Sequence, residues 1–158
     1  MKYARLTKEQ FEELHSEFIT FLATQQITAD EWKELKATKP QVAEEELDVF
    51  SDLVWERVLQ RAEYLEHFSP KQLHLFRLED EHITLIALKI DEEGINITTR
   101  EGYDWLQANL DNDAVVYFTS QKKYKEDATG EIFDLIQKGA TITKGDLFKW
   151  FERFMDVK

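Results

Sequence analysis

The hydrophobic pattern of this chain changes its period at Ser69-Pro70. From Thr7 onwards, apolar residues recur with the spacing of a helix, and after the junction they alternate every two residues, as they do in strands. A chain whose helices precede its strands is typical of the α+β class. The sequence therefore predicts an α+β fold, with a helical part over residues 1–68 and a strand-rich part, ending in further helices, over residues 69–158.

Three helices are predicted in the first part. Thr7 and Gln10 have the spacing of a capping box, which begins the first helix, and Thr28 begins the second. Pro40 suits the first turn of a third helix. This third helix, predicted over residues 40–67, is the longest and is apolar on more than one side. We therefore expect it to be the central helix of the fold, packed on the sheet.

The second part alternates strands with helices. Strand patterns occupy residues 73–76, 82–90, 95–97 and 114–119, and a polar turn at residues 79–81 joins the first two into a hairpin. Helices are predicted over residues 98–110, before Gly139 and after Thr143. At 158 residues the chain has the usual size of one domain. We expect a single domain over residues 1–158, with a small and mostly antiparallel sheet.

The composition and the net charge of the chain restrict the classes of partner that it can bind. Hydrophobic residues make up 42% and aromatic residues 13%, which is too much for a disordered chain. The net charge of -12 repels phosphate groups, so we expect neither nucleic acid nor an anionic membrane as a partner. The densest basic cluster, Lys122, Lys123 and Lys125, adjoins Glu126 and Asp127 and is explained as a solvated loop.

The absence of cysteine excludes disulfides, thiol catalysis and zinc sites built on thiolates. A reducing compartment fits this composition. The first residues lack the apolar run of a signal peptide, and no run approaches the roughly 20 apolar residues that cross a bilayer. We therefore expect a cytoplasmic protein without a membrane span.

Three histidines, His67, His74 and His82, are weak candidates for a ligand site. With a turn at residues 79–81, we expect His82 to pair near Leu78. His74 then pairs near Ile86, which separates the two histidines along the hairpin. His67 is explained as a cation near the end of the third helix. We predict no metal site and no cofactor, and a small hydrolase or ligand-binding cleft that uses these histidines with carboxylates stays an alternative.

Aromatic residues supply the interface candidates. In the helix after Thr98, Trp105 projects from roughly the opposite side to Tyr103, so that Trp105 is either packed or partly exposed for a partner. The last helix has an aromatic face that includes Trp150 and Phe154, and this face either completes the core or docks on a partner. With no catalytic signature in the chain, the leading hypothesis is a non-enzymatic protein that binds another protein or itself.

Three segments also carry a resemblance to a known family. Residues 1–7 (MKYARLT), 46–56 (ELDVFSDLVWE) and 64–70 (YLEHFSP) resemble a family of small uncharacterised bacterial proteins, a domain of unknown function. The resemblance covers the length of the chain. It implies a bacterial, cytosolic origin and assigns no catalytic residue.

Overall fold

The computed structural model describes residues 1–157, and their side chains up to residue 156. This part of the chain forms seven α-helices and five β-strands, which confirms the α+β class. The structure divides into two compact units, the first over Met1–Gln60 and the second beginning at Arg61. That residues 1–158 form a single domain stays a prediction.

The first unit is helical. The predicted capping box forms, because the Thr7 hydroxyl accepts from the Gln10 N–H at 3.2 Å and the Gln10 side chain accepts from the Thr7 N–H at 2.8 Å. The helix that begins there is divided into two at Leu14, whose φ of -99° and ψ of 23° depart from helical values. The helices of this unit are α1 (Lys8–Glu13), α2 (His15–Thr24), α3 (Ala29–Thr38) and α4 (Pro40–Arg61).

The long helix α4 ends earlier than the sequence predicts. It ends at Arg61 and not at His67, and the strand β1 (Tyr64–Ser69) follows it. No proline or glycine stands between these elements, so the local sequence favours a continued helix. Pairing with a neighbouring strand decides the outcome instead.

None of the helices in the described part of the chain is long and apolar enough to cross a lipid bilayer.

The core of the first unit is aromatic. Phe18 contacts Phe50 edge to face at 5.1 Å between ring centroids, and Trp32 meets Phe18 in the same way at 5.2 Å. Beside these rings, the buried Ser51 hydroxyl donates to the carbonyl of Leu47 and accepts from the Leu6 N–H at 3.1 Å. This pair of bonds ties the segment before α1 to α4.

The second unit is built on one antiparallel sheet with the strand order β4-β3-β2-β1-β5. Strands β1 and β5 were not predicted, and the strand predicted at residues 95–97 does not form. Ile97 instead packs in the core with 2% of its surface exposed. The remaining strands are β2 (Gln72–Leu78), β3 (His82–Ile90), β4 (Val115–Lys123) and β5 (Thr141–Thr143).

One face of this sheet carries the main core. Leu73 lies opposite Leu88 and Leu75 opposite Ile86, so their side chains share a face, and each is at most 3% exposed. The helices α5 (Arg100–Ala108) and α7 (Asp146–Val157) cover this face with Leu106, Phe148 and Phe151. The other face is partly covered by α6 (Ala128–Gln137).

Strand β4 lies at one edge of the sheet and pairs with β3 alone. The end of this strand, residues 118–123, is exposed. Phe118 has 52% of its surface exposed, and the strand finishes with Lys122 and Lys123. The outer side of β4 therefore presents backbone groups that no other described strand uses.

We expect Gly102 in α5 to be intolerant of a side chain. A Cβ at this position would lie 1.8 Å from the carbonyl oxygen of Asn96, and backbone atoms cannot rotate away as a side chain can. Gly102→Ala should lower the free energy of unfolding by about 2–3 kcal/mol, measured by chemical denaturation.

Gly130 in α6 is the matched control, since it is also a helical glycine. Its added Cβ would approach only the flexible Asp127 side chain, at 3.1 Å. Gly130→Ala should be neutral or raise stability by up to about 1 kcal/mol, because alanine favours helix over glycine. Equal effects of the two substitutions would contradict the close approach at Gly102.

Candidate functional site

Two of the three candidate histidines are direct neighbours on the sheet. His67 in β1 lies opposite His74 in β2, and their ring centroids are 6.4 Å apart. This corrects the prediction that His67 lies near the end of a helix. Burial, and then the charge of His67, lower the pKa of His74 below its ordinary value of 6.5. Both effects therefore favour the neutral form of the His74 imidazole.

The third histidine lies elsewhere. His82 begins β3, and its Nε2 lies 2.7 Å from the Glu79 carboxylate. Ile83, and not His82, lies opposite Leu78, and Ala87 lies opposite His74, so the predicted register was wrong by one residue. His82 is five residues from Ala87, which is about 16 Å along a strand. It therefore cannot act together with the other two histidines.

No group of three or more histidine or carboxylate side chains that could hold a metal occurs in the described part of the chain. A cleft of about 390 Å³ lies between α6 and the outer face of the sheet. Its lining includes carboxylates and lysines but none of the three histidines. The lining residues are Phe76, Ile83, Leu85, Ser120, Lys122, Glu131, Asp134, Leu135 and Lys138.

Two of the aromatic interface candidates lie together on α7. Trp150 and Phe154 are one helical turn apart, with ring centroids 5.2 Å from each other and ring planes only 13° from parallel. Phe151, on the neighbouring face of the helix, enters the core and meets Trp150 edge to face at 4.9 Å. Trp150 keeps 42% of its surface exposed. The helix thus exposes Trp150 to solvent, while Phe154 is half-buried and packs against the core of the second unit.

These two rings form one wall of a groove of about 450 Å³, and residues 107–112 form the other. Hydrogen bonds hold the second wall in place. The Asn109 side chain donates to the carbonyl of Trp105 at 2.7 Å, and the Asn112 N–H donates to the carbonyl of Asn109 at 2.9 Å. Because α5 ends at this wall, the negative end of its dipole lies beside the groove. We call this space the aromatic groove.

Tyr117 supports the aromatic groove from beneath. Its hydroxyl donates to the carbonyl of Leu110 at 2.7 Å, and its ring lies 5.9 Å from that of Phe154. Burial raises the pKa of Tyr117 to about 12, with a further contribution from the negative charge of Asp111. The phenol therefore stays a neutral donor at physiological pH, and both walls of the groove are fixed to the sheet.

The third aromatic candidate, Trp105, does not line the aromatic groove. Its side chain is half-buried and packs against the core of the second unit. Trp105 is thus packed over one part of its surface and exposed over another, and its role as an interface residue stays a prediction. The wall at residues 107–112 was not predicted as part of a site, although the polar run from Asn109 to Asp113 after a helix indicates an exposed, ordered turn.

The fold and the groove define an α+β protein that carries an aromatic pair beside a helix end on its second unit. A model for a family of unknown function, DUF6495, matches residues 1–156. The chain belongs to this family. No curated protein and no solved structure matches it.

We expect the stability of the chain to depend on pH through His74. Since the pKa of His74 is lower in the folded state, the unfolded chain takes up a proton first as the pH falls. The free energy of unfolding should therefore decrease as the pH falls through about 6.5. His74→Phe should reduce this decrease, measured by denaturant unfolding from about pH 8 to about pH 5.

His15 provides the control for this experiment, because it is an exposed histidine of α2. His15→Gln should keep the pH dependence of the original chain. An unchanged pH dependence in His74→Phe would show that burial of His74 does not contribute to it.

Proposed function

We propose that this chain is a non-enzymatic protein of the bacterial cytoplasm that acts by binding another protein in its aromatic groove. The observation that carries the proposal is the exposed Trp150 stacked on Phe154 beside an ordered wall. Tryptophan is the residue most enriched among those that dominate binding energy at protein interfaces. When a partner covers a large apolar ring that is exposed on a well-packed helix, the burial of that ring contributes strongly to the free energy of binding.

Rigidity of the groove supports the same proposal. The wall at residues 107–112 is fixed by the hydrogen bonds of Asn109 and Tyr117, and Phe154 contacts the ring of Tyr117. A partner therefore meets a surface that loses little conformational freedom on binding. A surface of this kind retains more of its contact energy as affinity than a mobile surface does.

A second candidate function is the binding of a small molecule in the cleft between α6 and the sheet. This cleft of about 390 Å³ falls within the range of small-molecule sites and has an apolar floor that includes Phe76 and Leu85. The alternative from the sequence was a hydrolase that uses histidine with carboxylates. Because none of the residues that line this cleft is a histidine, the lining fits the binding of a small molecule better than it fits that hydrolysis. Leu135→Trp, which fills the cleft, would abolish this function and leave the aromatic groove intact.

We expect Trp150→Ala to abolish capture of a protein partner. Tagged chain is expressed in its native host, crosslinked mildly and purified, and the retained proteins are identified by mass spectrometry. Loss of a central interface tryptophan costs at least about 2 kcal/mol, or roughly thirtyfold in affinity. Because Trp150 is 42% exposed but also packs on Phe151 and Phe154, thermal stability should fall moderately, and circular dichroism checks that the variant stays folded.

Phe118→Ala is the matched control. Phe118 is an aromatic residue of the second unit with 52% of its surface exposed, against 42% for Trp150, but it lies on β4, away from the aromatic groove. A stoichiometric partner that is retained by Phe118→Ala and lost by Trp150→Ala supports the proposal. A partner that both variants retain, or capture of the chain alone, contradicts it.

A further inference from the structure

We propose that the open edge of β4 binds an extended acidic segment of a partner protein, which pairs with β4 and so adds a strand to the sheet. This site is separate from the aromatic groove, because none of residues 118–123 lines that groove. Three features of the edge support the proposal: backbone groups without a partner strand, two lysines without an ion pair, and a cleft beside the strand.

The ladder between β3 and β4 shows which backbone groups of β4 point outward. The Tyr124 N–H donates to the carbonyl of Glu81 at 3.1 Å just beyond one end of the ladder, and the Asp91 N–H donates to the carbonyl of Ala114 at 2.7 Å just beyond the other. The register between these two bonds has no break. Because opposite residues of antiparallel strands alternate between bonded and non-bonded pairs, the even-numbered residues of β4 bond to β3. The odd-numbered residues therefore direct their N–H and C=O groups to the open edge.

Three of the odd-numbered residues lie in the exposed end of β4, namely Thr119, Gln121 and Lys123. No other strand or loop in the described part of the chain bonds to their outward backbone groups. Each of these residues offers one N–H donor and one C=O acceptor. An extended segment laid along the edge can pair with all of them, which is how a peptide adds a strand to an exposed sheet edge.

Charge selects the kind of segment that fits this edge. Lys122 and Lys123 are the charged residues of the exposed end of β4, and neither forms an ion pair within the described residues. Neighbouring side chains point to opposite faces, so each face of the edge carries one lysine. The residue opposite each lysine on an added strand lies about 5 Å away, where a carboxylate is favourable and a lysine is unfavourable. The more distant charges, which give the chain its net charge of -12, are screened beyond about 8 Å.

The outer face of the sheet also favours apolar side chains at two positions of the added strand. Phe118, Ser120 and Lys122 share this face, because alternate residues of a strand point the same way. Phe118 is 52% exposed, and Ser120 and Lys122 line the cleft of about 390 Å³. The residues opposite Phe118 and Ser120 therefore lie beside an exposed ring and a cleft with an apolar floor. Strand pairing supplies affinity in such a site, and the alternate side chains supply specificity.

The inference is tested with the full chain and a peptide, Ac-Glu-Glu-Thr-Val-Thr-Val-NH₂, whose residues lie opposite residues 123 to 118 when it pairs antiparallel to β4. In a matched peptide, lysine replaces both glutamates. The chain is labelled with ¹⁵N and followed by NMR. The acidic peptide should shift the amide signals of Thr119, Gln121 and Lys123 and slow their hydrogen exchange. It should bind about tenfold more tightly than the lysine peptide.

Methylation of the peptide backbone separates strand addition from general attraction. In this register, the N–H groups of both threonines point to β4, and those of both valines point away from it. N-methylation of both threonines removes two hydrogen bonds and places methyl groups against β4, so it should weaken binding by at least about tenfold. N-methylation of both valines should weaken binding by less than about threefold.

Variants of the chain locate the contact. Lys122→Glu and Lys123→Glu each reverse a charge at the edge, and each should weaken binding of the acidic peptide by about threefold to tenfold. Lys33→Glu is the matched control, because it makes the same change of net charge at an exposed position of α3. This control and Trp150→Ala should bind the peptide as the original chain does, so the result does not depend on the aromatic groove.

Each other outcome overturns the inference. Equal binding of the acidic and lysine peptides would exclude recognition of charge, and equal effects of the two methylated peptides would exclude strand addition. Absence of binding at millimolar peptide would exclude the site. Concentration-dependent protection of Thr119 and Gln121 without peptide, with a dimer in sedimentation, would show that a second copy of the chain occupies the edge instead.

Discussion

The register between β2 and β3 determines what the rest of the second unit can do. With Leu73 opposite Leu88 and Leu75 opposite Ile86, four nearly inaccessible side chains lie on one face. A slip of one residue would turn one strand's set of these side chains toward the other face, so the buried pairs hold the register strongly. That face fixes α7, because Phe148 and Phe151 must pack against it. The direction of Trp150 then follows from the helical spacing.

Local signals in the sequence predict local structure well. The capping box at Thr7, the helix start at Pro40 and the hairpin of β2 and β3 all form where the spacing of residues indicates them. The predicted register of that hairpin differs from the observed register by one residue. The reason is that the Glu79 N–H donates to the carbonyl of His82 at 3.0 Å. The loop therefore contains two residues, and not the three of the expected polar turn.

Features that depend on contacts between distant parts of the chain could not be predicted from the sequence. Residues 64–69 become a strand because β2 and β5 pair with them on either side, and β5 lies more than 70 residues away along the chain. The three residues of β5 are too few to show a period of two. The aromatic groove is a similar case. Trp150 and Phe154 were candidates, but the wall opposite them comes from a turn about 40 residues earlier, and the wall gives the two rings a site.

The open edge of β4 has a consequence for how this protein behaves when it is concentrated. An exposed edge strand with free backbone groups is a template on which another chain can add a strand. Here an exposed Phe118 precedes Lys122 and Lys123 on that edge. Lysines on an edge strand oppose such pairing, because a second copy would bring the same charges close together. Acetylation of these two residues would remove that repulsion and make the addition of a second strand at this edge more favourable.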